Sequence, residues 1–186
     1  MGLRVSFDLD DNDLRHFQLI MRESRKAAAS KTQEAILSGA EELLKSVSAV
    51  NVPQFVRERL DNLELMIRMI SDREWRLPTQ EAARVYNALA YFCEAEDLIP
   101  DQIPGLGFLD DAIMIELVVR ELRHELDAYR DFCDFRARHA AAGDGKAAEL
   151  GREEWLENRR RELQSRMRRR KKRNGAQGGK RPLRLL

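Results

Sequence analysis

The sequence has few of the features that would indicate a β-sheet protein, a membrane-spanning protein or an enzyme. Aromatic residues make up 6% of the chain, and alternating runs rich in Val, Ile and Thr are scarce, so strands are not expected. No stretch approaches the roughly 20 apolar residues that cross a bilayer, and the first residues lack the apolar segment of a secretory signal. The three histidines belong to no recognisable catalytic motif. We therefore expect a soluble protein with no catalytic residue and no cofactor.

The chain has only two cysteines, Cys93 and Cys133, and neither belongs to a CxxC motif. The helices predicted below place them roughly 35 Å apart, which is beyond the reach of a disulfide bond. Reduced thiols are typical of cytoplasmic proteins. The cysteines therefore predict a cytoplasmic location.

The formal net charge of +1 conceals an uneven distribution along the chain. Residues 159–186 contain thirteen Lys or Arg and a single acid, Glu162, which gives this segment a net charge of +12. The remaining residues therefore carry a net charge of −11. This division predicts an acidic body with a basic C-terminal tail.

Apolar residues recur at spacings of three and four along most of the chain, which is the periodicity of amphipathic helices. With 43% hydrophobic and 35% charged residues, the composition is typical of a helix-rich protein. We predict an all-α fold, with a single domain of five to six helices over residues 1–140. The helices are expected at 7–29, 30–50, 53–70, 79–93 and 109–139, followed by a linker at 141–148, a basic helix at 149–173 and a disordered tail at 174–186.

Three residues are expected to mark the starts of helices. Ser30 forms a capping-box pattern with Gln33, Pro53 suits the first turn of a helix, and Thr79 suits an N-cap. The helix at 109–139 is predicted to be central, because its first turns are apolar on nearly all sides. In the connection before Thr79, Trp75 is expected to fold back over the core.

Residues 97–111 interrupt the helical pattern between two predicted helices. Pro100 and Pro104 remove two backbone donors and disfavour a helix, while Gly105 and Gly107 permit unusual backbone angles or close packing. The segment is nevertheless too apolar for a free loop, so we predict a buried, Pro/Gly-rich hairpin corner. Its residues are Asp97, Leu98, Ile99, Pro100, Asp101, Ile103, Pro104, Gly105, Leu106, Gly107, Leu109, Asp110 and Asp111.

The string D-L-I-P-D-x-I-P-G-L-G-x-L-D-D in this segment resembles the motif of the YkvA-like family, a bacterial domain of unknown function. The resemblance covers about residues 85–122, and it implies a helical domain of 1–140 around this motif core. It departs from the family pattern at Ala95 and Glu96. Many relatives have more apolar flanking helices that suggest membrane association, whereas here those helices carry charges such as Glu81 and Arg120. The resemblance implies no reaction, cofactor or catalytic residue.

The acidic residues of the corner admit two interpretations. Asp97, Asp101, Asp110 and Asp111 could together hold a hard cation such as Mg²⁺ or Ca²⁺, which would support a metal-dependent activity. Turn formation and helix capping account for each Asp separately and are the preferred explanation. A Glu121-x-x-His124 pair also matches half of a di-iron site, but a solvated charged face is favoured there.

The C-terminal tail is the candidate binding segment. Its positive charge predicts binding to a polyanion, namely RNA, the ribosome or an anionic membrane surface, through phosphate contacts. Docking onto the acidic body of the same chain is the alternative. No aromatic residue follows Trp155, so base stacking is not expected. The candidate residues are Arg159, Arg160, Arg161, Arg166, Arg168, Arg169, Arg170, Lys171, Lys172 and Arg173.

Overall fold

The computed structural model describes residues 8–93, Ile99, 107–140 and 146–176, and all regular secondary structure within them is helical. The helices are α1 (Asp11–Ala27), α2 (Gln33–Ser48), α3 (Gln54–Ser71), α4 (Thr79–Leu89), α5 (Leu109–Glu121), α6 (Arg123–Ala140) and α7 (Lys146–Ala176), with short 3-10 helices at Ala28–Ser30 and Ala90–Cys93. The all-α prediction is confirmed. In the described residues no helix combines the length and apolarity that crossing a bilayer requires.

The seven described α-helices exceed the predicted five to six, because the expected helix at 109–139 divides at Leu122. The backbone of Leu122 has φ −99° and ψ 13°, outside the ideal helical range. Its amide still donates to Val118 O at 2.9 Å, and its carbonyl still accepts from the Leu126 amide at 3.0 Å. The break therefore keeps both backbone hydrogen bonds. Since it involves neither Pro nor Gly, the sequence contains no signal for it.

The observed helix starts differ from all three of the predicted ones. The α2 N-cap is Thr32, whose hydroxyl accepts a hydrogen bond from the Ala35 amide at 3.2 Å, rather than Ser30. Ser30 instead ends the 3-10 helix that continues α1. Thr79 is the first residue of α4 and does not cap it, since Pro78 occupies the N-cap without a side-chain hydrogen bond. Pro53 likewise precedes α3 as its N-cap.

The hydrophobic core surrounds α5, as its apolar composition predicts. Ala112, Ile113, Met114, Ile115 and Val118 of this helix are all buried. The helix packs mainly against α3, whose apolar stripe includes the fully buried Leu63, Met66 and Met69. The first turns of α5 are thus buried on all sides, in agreement with their lack of a polar face.

The C-terminal helix α7 is longer than predicted and packs against α6. It begins at Lys146, inside the expected linker at 141–148, and it ends at Ala176, inside the expected disordered tail at 174–186. Its few apolar residues lie on the attached side, since Leu156, Leu163 and Met167 repeat at helical spacing and all three are buried. Residues 141–145 and 177–186 lie outside the described part of the chain.

We expect Gly39→Ala to destabilise the protein by about 1–3 kcal/mol, the usual range for overpacking. A Cβ at this position would lie 2.8 Å from Cys93 Cα and 2.9 Å from the Phe92 carbonyl oxygen, so backbone atoms would have to move. In an exposed helix the same change would instead stabilise, because alanine favours the helix over glycine. Urea unfolding measures the effect, with Ser38→Ala on the exposed side of α2 as control. An increase in stability for Gly39→Ala would contradict the close approach.

Candidate functional site

The connection between α3 and α4, residues 72–78, is organised by Asp72. Its carboxylate accepts hydrogen bonds from the amides of Glu74 and Trp75 at 2.9 and 3.0 Å and from the Tyr129 hydroxyl at 2.9 Å. Arg136 of α6 forms an ion pair with it at 2.8 Å. Burial alone would raise the pKa of Asp72, but these hydrogen bonds and the Arg136 charge outweigh burial, and the pKa is lowered. Asp72 therefore holds the connection against α6 as a carboxylate.

Trp75 closes the core from this connection, as predicted. Its side chain is fully buried, and its ring centroid lies 5.8 Å from that of Tyr129 and 5.1 Å from that of Phe132. The Arg136 guanidinium carbon lies over the Phe132 ring, 5.4 Å from its centroid. The aromatic cluster thus connects the α3–α4 connection to α6.

Helix α7 holds the same connection from outside. Arg160 donates to the Glu74 carbonyl at 2.9 Å, and Gln164 donates to the Trp75 carbonyl at 3.0 Å. Arg159 stacks on Phe135 of α6, with its guanidinium carbon 5.1 Å from the ring centroid. Two of the predicted polyanion-binding residues, Arg159 and Arg160, therefore contribute to the docking of α7.

A second set of contacts attaches the C-terminal half of α7 through buried acids. Glu125 of α6 is completely buried, and its Oε1 accepts from Lys171 at 2.7 Å and lies 3.3 Å from Arg84. Its Oε2 has no hydrogen-bond partner among the described residues. Glu81 of α4 is 5% exposed and lies 3.5 Å from Arg168. The acidic body thus neutralises part of the basic helix, as the docking alternative requires.

The exposed part of α7 presents a cationic surface, which we call the outer ridge. Its members are exposed on the helix and extend over its last four turns: Arg161, Arg166, Arg168, Arg169, Arg170, Lys172 and Arg173. Arg161 also contacts Glu157 at 2.7 Å. Arg168 lies near Glu81. Within the described part of the chain, no ion pair is formed by the remaining ridge residues, which are Arg166, Arg169, Arg170, Lys172 and Arg173.

The acidic side chains of α7 itself are confined to its N-terminal part. Glu162 pairs with Arg159 at 2.8 Å, and Glu157 contacts Arg160 and Arg161. Beyond Glu162, residues 163–176 contain no Asp or Glu. The charge of the distal ridge is therefore available to an external anion.

Most of the predicted Pro/Gly-rich corner lies outside the described residues. This applies to Asp97, Leu98, Pro100, Asp101, Ile103, Pro104, Gly105 and Leu106. At its end, Asp110 and Asp111 are buried, and Asp110 Oδ2 accepts from the Ile99 amide at 3.1 Å. Phe108 precedes α5 with φ 65°, a left-handed conformation that is unusual for a bulky residue. Asp110 thus holds the backbone of Ile99 close to the first turn of α5 through one carboxylate oxygen.

Glu121 and His124, the pair that matches half of a di-iron site, each interact with other residues. Glu121 extends towards α1, where it pairs with Arg25 at 2.7 Å. Burial lowers the pKa of His124, and the neighbouring Arg123 lowers it further. Among the described residues, no group of three or more His, Cys, Asp or Glu has the arrangement of a metal site. Both cysteines are free thiols.

Several residues of the α7 interface were not predicted from the sequence. Glu125 carried a usable signal, because it lies three residues after Leu122 and four before Tyr129, on the apolar stripe of α6. An acid on such a stripe is expected to be buried and paired. Asp72 and Arg136 carried no comparable signal, since their partners come from other helices.

Comparison with known families gave one match. Residues 83–117, from α4 into α5, match the model of a family described as "Protein of unknown function (DUF1232)". The matched segment includes the 3-10 helix that contacts Gly39 and the buried Asp110 and Asp111. Comparisons with curated proteins and with solved structures gave no match.

Proposed function

We propose that this protein is a cytoplasmic, non-enzymatic binding or scaffold protein whose C-terminal helix engages a polyanion, with RNA as the principal ligand, free or in the ribosome. The observation that carries the proposal is the one-sided docking of α7. Its apolar residues face the body, and the outer ridge faces solvent without acids in its distal half. Phosphate groups supply the complementary charge, and counterion release favours their binding.

The docked state of α7 supports a division of labour among its ten candidate cations. Arg159, Arg160 and Lys171 hold the helix to the body, and the exposed Arg168 adds its contact with Glu81. The seven members of the outer ridge are then the residues that contact the ligand. Because the rest of the chain carries −11, the body repels a polyanion and orients it towards the ridge.

The structure of the ridge favours RNA over an anionic membrane surface as the ligand. Membrane-bound amphipathic helices insert an apolar face between the headgroups. Here Leu156, Leu163 and Met167 are already buried against the body. A lipid surface would therefore be bound by electrostatics alone. Binding to vesicles that contain anionic lipid can be compared with binding to RNA.

We also propose that the segment around Asp110 is a YkvA-like motif and that its role is structural. The hydrogen bond from Ile99 to Asp110 supports a corner that anchors the entry to α5. The metal-dependent alternative receives no support from the described residues. Asp97 and Asp101, which it also requires, lie outside them.

We predict that the protein binds an unstructured RNA at low salt, and that replacing Arg166, Arg169, Lys172 and Arg173 with glutamine weakens this binding by at least about tenfold. Each lost phosphate contact removes roughly 0.7 released counterion on a single strand, so the salt dependence should also become shallower. Fluorescence anisotropy with a labelled RNA measures both. Cutting the chain at Glu157 is a poor test, because it would also remove the buried Leu163 and Met167.

The matched control changes the same number of charges elsewhere. Arg22, Lys26, Lys45 and Arg73 are exposed on other parts of the body, and their replacement with glutamine should leave RNA binding nearly unchanged. Equal weakening by both sets would mean that net charge, and not the ridge, controls binding. Absence of RNA binding by the unmodified chain at low salt would contradict the proposed function.

A further inference from the structure

The arrangement of the cations on α7 carries information about the shape of the ligand. Successive residues of a helix are separated by about 100°, so six of the seven ridge residues fall into two rows, while Arg170 lies outside them at nearly the angular position of Leu163. One row contains Arg161, Arg168 and Lys172, and the other contains Arg166, Arg169 and Arg173. The two rows lie about 110° apart around the helix axis, one on each flank of the exposed side.

The crest between the rows begins with short, uncharged residues. Asn158 and Ser165 are both exposed and lie almost opposite the buried Leu163 and Met167. From Arg161 to Arg173 the two rows extend for about 18 Å, given a rise of about 1.5 Å per residue. The surface is thus a convex ridge with positive charge along both flanks.

A convex surface with two lines of cations fits two lines of phosphates better than one. Proteins that bind single strands place the backbone in a groove and stack bases on aromatic side chains. The ridge is not a groove, and α7 has no aromatic residue beyond Trp155. A double helix, by contrast, presents phosphates on both sides of each groove, at a higher charge density than a single strand.

The height of the ridge above the body indicates which of the two common duplex forms it can bind. Docking on α6 leaves about half of the helix width exposed, roughly 5–6 Å. The major groove of B-form DNA is about 8.5 Å deep, so a docked helix cannot reach its floor. The minor groove of A-form RNA is wide and shallow and displays 2′-hydroxyl groups, to which arginine side chains can donate.

We infer that the outer ridge of α7 is a binding surface for double-stranded RNA, which it contacts across the shallow minor groove with one row of cations directed to each phosphate line. This inference rests on the proposed polyanion-binding function and specifies its ligand. Recognition would be by shape and backbone, because in a duplex the bases are already stacked on one another and the cations are directed to the phosphates. Little dependence on base sequence follows from that.

The test compares three labelled probes of equal length and related sequence with the full chain: single-stranded RNA, duplex RNA and duplex DNA. Anisotropy titrations at low salt should give binding at least about tenfold tighter for duplex RNA than for the single strand, reflecting its denser phosphates. Duplex DNA should bind more weakly than duplex RNA. A single strand that binds as tightly as duplex RNA, or a DNA duplex that does, would overturn the inference while leaving polyanion binding intact. Absence of binding to all three probes would instead contradict the proposed function.

Two paired variants test the two rows separately. Arg161→Gln with Lys172→Gln reduces one row, and Arg169→Gln with Arg173→Gln reduces the other, each removing two exposed charges. If the rows contact opposite phosphate lines, both pairs should weaken duplex RNA binding by similar factors. Loss confined to one pair would show that a single row binds the ligand and would overturn the two-row arrangement.

Discussion

Replacing both Lys171 and Arg84 with methionine should lower the free energy of unfolding by about 3–5 kcal/mol, the range for a buried charge left without its partner. Glu125 is completely buried, and Lys171 and Arg84 are its described cationic partners, at 2.7 and 3.3 Å. Either cation alone could still compensate the carboxylate, so each single variant should cost much less than the pair. Urea unfolding of the single and double variants measures this non-additivity.

A triple variant provides the control for this prediction. Adding Glu125→Met to the two cation replacements removes the buried charge together with its partners, and apolar replacement of a whole buried ion pair is often neutral or stabilising. We therefore expect the triple variant to recover most of the lost stability. A double variant as stable as the unmodified protein would show that Glu125 is not held by these cations. No recovery in the triple variant would show that the loss came from packing.

Trp75→Ala should lower the free energy of unfolding by about 3–5 kcal/mol, the usual cost of deleting a large buried aromatic side chain. Trp75 is fully buried and packs on both Tyr129 and Phe132. The cavity would open beneath the connection that Arg160 and Gln164 of α7 hold by its carbonyl groups. Thermal unfolding followed by circular dichroism at 222 nm, where helices absorb, would measure the loss.

Trp75→Phe is the matched comparison, because it keeps an apolar ring in the same place. Its cost should be well below that of Trp75→Ala. If Trp75→Ala lost less than about 1 kcal/mol, the connection would have to collapse into the vacated space, and its anchoring role would be wrong. A selective release of α7 in Trp75→Ala would appear as protease cleavage within 146–176 while α1 to α6 remain protected.

Most helices could be predicted because local periodicity specifies them. In α3 the apolar residues at 56, 60, 63 and 67 mark one face, and the same residues are buried in the structure. The start of α1 is also specified by neighbouring residues, since the Asp10 side chain accepts hydrogen bonds from the amides of Asn12 and Asp13. The predicted first residue, Phe7, lies outside the described part of the chain. What failed were boundaries, such as the Thr32 cap and the break at Leu122, for which neighbouring residues offered competing or no signals.

The candidate site was predicted only in outline. Its positive charge was evident from residues 159–173, and so was the alternative that this segment docks on the acidic body. Which cations are exposed was not evident, because the apolar residues of α7 are sparse and the arginines of 159–173 point to nearly all sides of the helix. Docking through Leu163, Met167 and Arg160 is what separates an inner side from an outer ridge.

The all-α class, the central position of α5 and the division of charge each follow from residue types and spacing within one segment, so they could be predicted from the sequence. The burial of Glu125 between Arg84 and Lys171, the link that Asp72 makes between the α3–α4 connection and α6, and the attachment of α7 by one side became visible only in the assembled fold. These arrangements depend on partners distant in the sequence. Their energies come from desolvation and packing, which exist only once the helices are assembled.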